Sequence, residues 1–101
     1  MDRSDPSLLV LTSLAGGEKH GYAMVADIEQ LAGVHLGPGT LYGALSRLES
    51  DGLIEATEPA GRRRPYRITA TGSQALQRRL ESLSQVADTG LTRLRAAGAS
   101  A

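Results

Sequence analysis

Gly37-Pro38-Gly39-Thr40-Leu41-Tyr42-Gly43-Ala44-Leu45-Ser46-Arg47-Leu48-Glu49-Ser50-Asp51-Gly52 reads as one short helix with a marked start and a marked stop. Proline at the first helical position sacrifices no hydrogen bond, because its amide would be unpaired there anyway. Leu41, Leu45 and Leu48 recur at i, i+4 and i+7 and give one stripe for burial. Asp51-Gly52 closes the helix, glycine taking the left-handed cap while Leu53 folds back on the last turn. Thr40, Gly43, Arg47 and Ser50 point away from the leucines, with Tyr42 and Ser46 on the flank. Small and hydroxylated groups at an exposed helix start suit a probe of the DNA major groove.

Working downstream, the spacing predicts strands over 53–58 and 64–69 around a turn at Pro59-Ala60-Gly61-Arg62. Pro65 has no amide to donate, so it is expected at an unpaired edge of a two-stranded ribbon with one side open. The ribbon tip carries Arg62, Arg63 and Arg64, three adjacent guanidinium groups for phosphates or a narrow minor groove. The alternative is a solvated turn that keeps an edge strand from aggregating.

Upstream, Asp5-Pro6 marks a helix start, and Leu8, Leu9, Leu11 and Leu14 form a broad stripe that Gly16-Gly17 ends. A second helix begins near His20-Gly21-Tyr22, with Met24, Ile28 and Leu31 at helical spacing until Gly33; residues 34–36 form an extended link. After the ribbon, Thr71-Gly72-Ser73-Gln74 matches a capping box that opens a long last helix to about residue 97. In it Leu76, Leu80, Leu83, Ala87, Leu91 and Leu94 step by 4, 3, 4, 4 and 3, a coiled-coil-like seam with one stutter.

The expected fold class is therefore mainly α with a small β-hairpin: a winged helix-turn-helix over residues 1–70, a dimerisation helix over 71–97, and a disordered tail over 98–101. A helix this long cannot bury its whole seam on so small a body, so Leu91 and Leu94 are expected to pack on a second copy. The seam residues, with Leu8 and Leu11, make up the expected dimer interface. The alternative is a seam folded back wholly on its own first helix.

Composition sets limits. At 101 residues the chain is about one domain, burying roughly two-thirds of its unfolded surface, which favours self-association. The absence of cysteine removes disulfides, thiolate zinc sites and a cysteine nucleophile together. No apolar run is long enough to cross a bilayer and no basic-then-apolar leader opens the chain, so a soluble, cytoplasmic protein with no membrane partner is expected. Net charge is zero, but residues 1–61 hold three basic and nine acidic side chains while residues 62–101 hold eight arginines and two acids. Such asymmetry serves a basic ridge on a neutral molecule, or a merely solvated helix face.

Each candidate side chain has two roles open to it. Gly39, Thr40 and Gly43 leave the helix front uncluttered for DNA, or serve only the helix start. The Tyr42 hydroxyl reaches a phosphate, or the ring is half-buried structure. Arg47 reads guanine or clamps phosphate, or pairs with Glu49, Asp51 or another surface acid. Tyr22 and Tyr66 are assigned to packing, and His20 to a plain helix start. His20 and His35 share no helical face, no carboxylate set has metal-ligand spacing and there is no phosphate loop, so no enzyme, metal or cofactor is expected.

Together Leu8 to Leu14, His20-Gly21-Tyr22, Gly37 to Tyr42 with Leu45, Arg47, Leu48 and Glu49, Asp51-Gly52-Leu53-Ile54, and Gly61-Arg62 to Thr69 with Thr71-Gly72 resemble the PadR family of bacterial transcriptional regulators. The resemblance covers roughly residues 8–95. It implies a homodimer on an inverted repeat of double-stranded DNA, the third helix in the major groove, the ribbon at the flanking minor groove and the last helix in the dimer interface. Family members are mostly repressors released by small molecules, so repression and a small-molecule effector are further expectations. The single last helix resembles the family's shorter branch. Relatives often carry serine or threonine where Gly37 stands, which removes one phosphate contact here. Some relatives sandwich flat drugs between tryptophans, and this chain has neither tryptophan nor phenylalanine. A protein-binding winged helix without DNA affinity is the rival to all of this.

Overall fold

The carboxylate of Asp5 accepts hydrogen bonds from the amides of Ser7 and Leu8 and so starts the chain's first helix, α1 (Pro6–Ala15). The computed structural model describes residues 5–58 and 64–100, the last two by backbone alone. After α1 come α2 (Gly21–Ala32), α3 (Pro38–Ser50), β1 (Ile54–Ala56), β2 (Tyr66–Ile68) and α4 (Ala70–Ser100). This is the expected winged helix-turn-helix with a long carboxy-terminal helix, mainly α with a small hairpin.

α1 is the centre of the fold. It packs against α2, α3, α4 and β2, which explains why Leu8, Leu9, Val10, Leu11 and Leu14 are all buried rather than confined to one stripe. Met24 and Ile28 from α2, Leu41, Ala44, Leu45 and Leu48 from α3, Ile54 from β1 and Leu76 from α4 complete the core. Leu31 shares the spacing of that α2 stripe, but it is exposed near the end of the helix. The α3 stop is as the sequence indicates: Gly52 has φ 75°, the Leu53 amide donates to the Leu48 carbonyl at 2.9 Å, and Leu53 packs on the core.

The wing departs from expectation in two ways. Its strands are shorter than predicted, pairing antiparallel as Ile54 with Ile68, Glu55 with Arg67 and Ala56 with Tyr66. Its outer edge is also not open, because Tyr66 exchanges backbone hydrogen bonds with Lys19 at 2.9 and 3.1 Å. The Lys19 ammonium meanwhile donates to the Ser13 and Gly17 carbonyls at 2.5 and 3.3 Å, so one residue ties the end of α1 to the wing. Pro65 precedes β2 and costs the ladder nothing; its carbonyl accepts from the Thr57 amide at 2.9 Å.

The cap of α4 lies two residues before the predicted one, and the helix begins at Ala70. Thr69 is the cap: its hydroxyl oxygen accepts from the Gly72 amide at 3.0 Å and donates to the Gly52 carbonyl at 2.7 Å. The predicted box is not used because the Thr69 amide and hydroxyl are held by the Leu53 and Gly52 carbonyls, and Gly72 falls inside the first turn. A Cβ there would lie 2.0 Å from the Leu53 carbonyl oxygen, so the first turn of α4 sits against the α3–β1 corner with no room for a side chain. At the other end the helix runs to Ser100, through most of the tail expected to be disordered. Its 31 residues rise about 46 Å, most of the molecule's 60 Å length. Among the described residues no helix is long and apolar enough to cross a membrane.

Candidate nucleic-acid interface

Gly37 lies extended and Pro38 follows at the first helical position, so α3 begins with free amides and no side-chain cap. Its leucines and Ala44 face the core, which leaves Gly39, Thr40, Tyr42, Gly43, Ser46 and Arg47 exposed together. A Cβ added at Gly39 or Gly43 would meet nothing within 4 Å. Glycine inside a helix costs about 1 kcal/mol against alanine, and at Gly43 no packing constraint among the described residues accounts for it. Arg47 has no ion pair among the described residues, so the alternative pairing with Glu49 or Asp51 is not formed.

α2 brings a second helix start beside this one. Gly21 is buried there, and a Cβ on it would approach both Leu41 Cδ2 and the Tyr42 hydroxyl to 3.3 Å. That close approach places the His20 cap, which makes no side-chain capping bond, next to the front of α3. Tyr22, Val25, His35, Leu36, Pro38, Leu41 and Tyr42 line an open cleft of about 310 Å³ between the two helix starts. Tyr22 is 75% exposed and Tyr42 50%, so the assignment of Tyr22 to packing is corrected: it is a surface group on the side of α3's exposed start. Periodicity would have found it, since Tyr22 is two residues before Met24 and falls off the buried stripe of α2. Tyr66, by contrast, is buried as expected. His35, which also lines this cleft, pairs with Glu29.

The ribbon residues divide. Arg62 and Arg63 lie outside the described residues. Arg64 is directed inward: its Nη2 is 3.6 Å from Glu49 Oε1 on α3, and its guanidinium lies 5.6 Å from the centre of the Tyr66 ring. Arg67 is neutralised across the ladder by Glu55 at 2.6 Å.

The expected dimer residues divide as well. Leu8, Leu11 and Leu76 are buried within a single copy, so they belong to the protomer's core rather than to a surface that a partner reaches. Leu83 is half-buried against the same core, while Leu80, Ala87, Leu91 and Leu94 are exposed. Leu91 and Leu94, 53% and 71% exposed, stand on a part of α4 beyond the body of the fold. Val86, also exposed, joins them outside the seam read from the sequence. Near the base of α4, Arg79 pairs with Asp5, and this hydrogen bond holds the Asp5 carboxyl below the usual aspartate range. Among the described residues no cluster of three or more His, Cys, Asp or Glu side chains is placed to hold a metal.

The profile of the transcriptional regulator PadR-like family matches residues 10–78. The chain is 46% identical over 86 residues to an uncharacterised 37.1 kDa protein in transposon TN4556 of Streptomyces fradiae, covering 85% of this chain but 25% of that protein. It is 36% identical over 88 residues to the transcriptional regulator Rv3488 of Mycobacterium tuberculosis, covering 84% and 81%. The crystal structure of a PadR family transcriptional regulator from Eggerthella lenta superimposes with a TM-score of 0.70 at 33% identity, covering 91% of this chain and 82% of the other.

Proposed function

The chain belongs to the PadR-like family of transcriptional regulators, which are not enzymes, and on that premise we propose that it is a sequence-specific DNA-binding repressor acting as a homodimer on an inverted repeat. The observation that carries DNA binding is Gly43, a mid-helix glycine facing open space on a surface that also presents Gly39, Thr40, Tyr42, Ser46 and Arg47. A backbone left bare in this way admits close approach of a base edge, and Thr40 and Arg47 are the side chains that read it. The starts of α2 and α3, with Tyr22 and Tyr42 beside them, take phosphates. Arg62 and Arg63 on the wing extend the contact to the flanking minor groove. The second copy packs on the exposed leucines of α4.

Titration of random and promoter-derived duplexes across a salt series tests this. If the dimer neutralises six to ten phosphates, affinity falls by a factor of about 10³ to 10⁵ between 50 and 200 mM salt. Replacing Arg62 and Arg63 with alanine weakens binding to every sequence and reduces the salt slope, whereas replacing Thr40 or Arg47 also changes which sequence is preferred. A flat salt response would assign the surface to a protein partner instead.

A further inference from the structure

Arg64 closes the run Arg62-Arg63-Arg64 between β1 and β2, yet its two contacts among the described residues are internal. Its guanidinium approaches Glu49, one residue from the end of α3, and lies over Tyr66, the first residue of β2. Only a third of the side chain is exposed. Tyr66 is in turn buried and hydrogen-bonded through its backbone to Lys19. Arg64 thus joins the last turn of α3 to the root of the wing, at a point already fastened to the link before α2. A ladder of three paired residues holds little orientation by itself. The planar guanidinium is suited to such a joint because it stacks on a ring and pairs with a carboxylate at once, which an ammonium does less well.

We propose that Arg64 is a positioning residue, a strut that fixes the angle between wing and α3 through Glu49 and Tyr66, and that it does not itself touch the nucleic acid. This rests on the DNA-binding reading above.

The strut makes a prediction of opposite sign to simple electrostatics. Removing the Glu49 charge from a protein that binds a polyanion should strengthen binding. If Glu49 holds the strut, Glu49→Gln instead weakens binding of the full chain to a 30-base-pair random duplex, by about two- to fivefold. Arg64→Ala produces a loss of similar size, and the double substitution loses no more than Arg64→Ala alone. Because every phosphate contact is kept, the salt slope of all three stays that of the parent, whereas removing one phosphate contact lowers it by about 0.9. Arg64→Lys, which keeps the charge but not the stack, behaves as Arg64→Ala. Tighter binding by Glu49→Gln, or a lowered slope in Arg64→Ala with normal binding by Arg64→Lys, overturns the proposal and sends Arg64 to the phosphates. Amide exchange gives a readout without DNA: residues 54–57 and 66–68 exchange faster in each variant while the amides of α1 do not. If the parent itself shows no salt-dependent binding, the DNA reading fails, and unchanged exchange in the variants separately removes the strut.

Discussion

The front of α3 and the outer half of α4 are both surfaces without a partner among the described residues, and their chemistry is opposite. The first is glycine, hydroxyl and arginine around two exposed helix starts; the second is leucine and valine on a helix that continues past the domain. Each contains a mid-helix glycine, Gly43 or Gly90, whose added Cβ would meet nothing within 4 Å. Neither surface is explained by folding, since each leaves an uncompensated cost within a single copy: backbone entropy at the glycines and exposed apolar area on α4. What differs is the visitor that each cost suits, a polyanion with a grooved surface in one case and a second apolar helix in the other.

The strongest way to break the comparison is to separate the copies. Replacing Leu91 and Leu94 together with glutamate is expected to give a monomer by size-exclusion chromatography with light scattering. Because a monomer grips one half-site at a time, affinity for an inverted-repeat duplex should fall by about 10² to 10⁴. A variant that stays dimeric, or a monomer with undiminished affinity, would separate α4 from DNA binding altogether.

Gly72 supplies the contrasting case of a glycine that folding does require. Alanine there collides with the Leu53 carbonyl, and overpacking against backbone costs roughly 1–3 kcal/mol, which in a domain this size lowers the melting temperature by several degrees or more. An unchanged melting temperature would mean that the corner between α3 and α4 yields more easily than its geometry indicates.

Gly43→Ala and Gly90→Ala sharpen the contrast further. In an isolated copy each should stabilise its helix by about 1 kcal/mol. With DNA on the first surface, Gly43→Ala melts higher yet binds DNA more weakly. With a second helix on the other, Gly90→Ala weakens association while leaving the α3 surface intact. Equal stabilisation at both sites, with DNA affinity and association unaffected, would falsify the idea that either surface is occupied.

The smallest expected effect concerns the joint between the start of α1 and the inner part of α4, where Asp5 pairs with Arg79. Asp5 titrates below its ordinary value chiefly because of the Arg79 hydrogen bond. Its contribution is therefore present above about pH 4, where the unfolded carboxylate titrates, and is lost as pH falls through the lower folded value. Asp5→Asn keeps a good helix cap but not the charge, so its melting temperature should decline less between pH 5 and pH 2 than the parent's. Superimposable pH profiles for the two proteins would show that the pair carries no stability.

Local signals in the chain were enough for most of the secondary structure and for the exposed front of α3. Pro38, the 41–45–48 leucine spacing and Asp51-Gly52 specify that helix and its outward face through terms acting within a few residues: a missing amide, a buried stripe and a left-handed cap. Long-range contacts decided the rest. Leu8, Leu11 and Leu76 look like interface leucines until the all-round burial of α1 takes them into the core, whereas the exposure of Tyr22 was open to local spacing, since it falls off the Met24 and Ile28 stripe of α2. Thr69 replaces Thr71 as the cap because its amide and hydroxyl are held by the Leu53 and Gly52 carbonyls of the α3–β1 corner, and Arg64 turns inward because Glu49 and Tyr66 are both within its reach. Residues distant in sequence set these outcomes by competing for the same volume and the same charge, and periodicity carries no information about which of them arrives first.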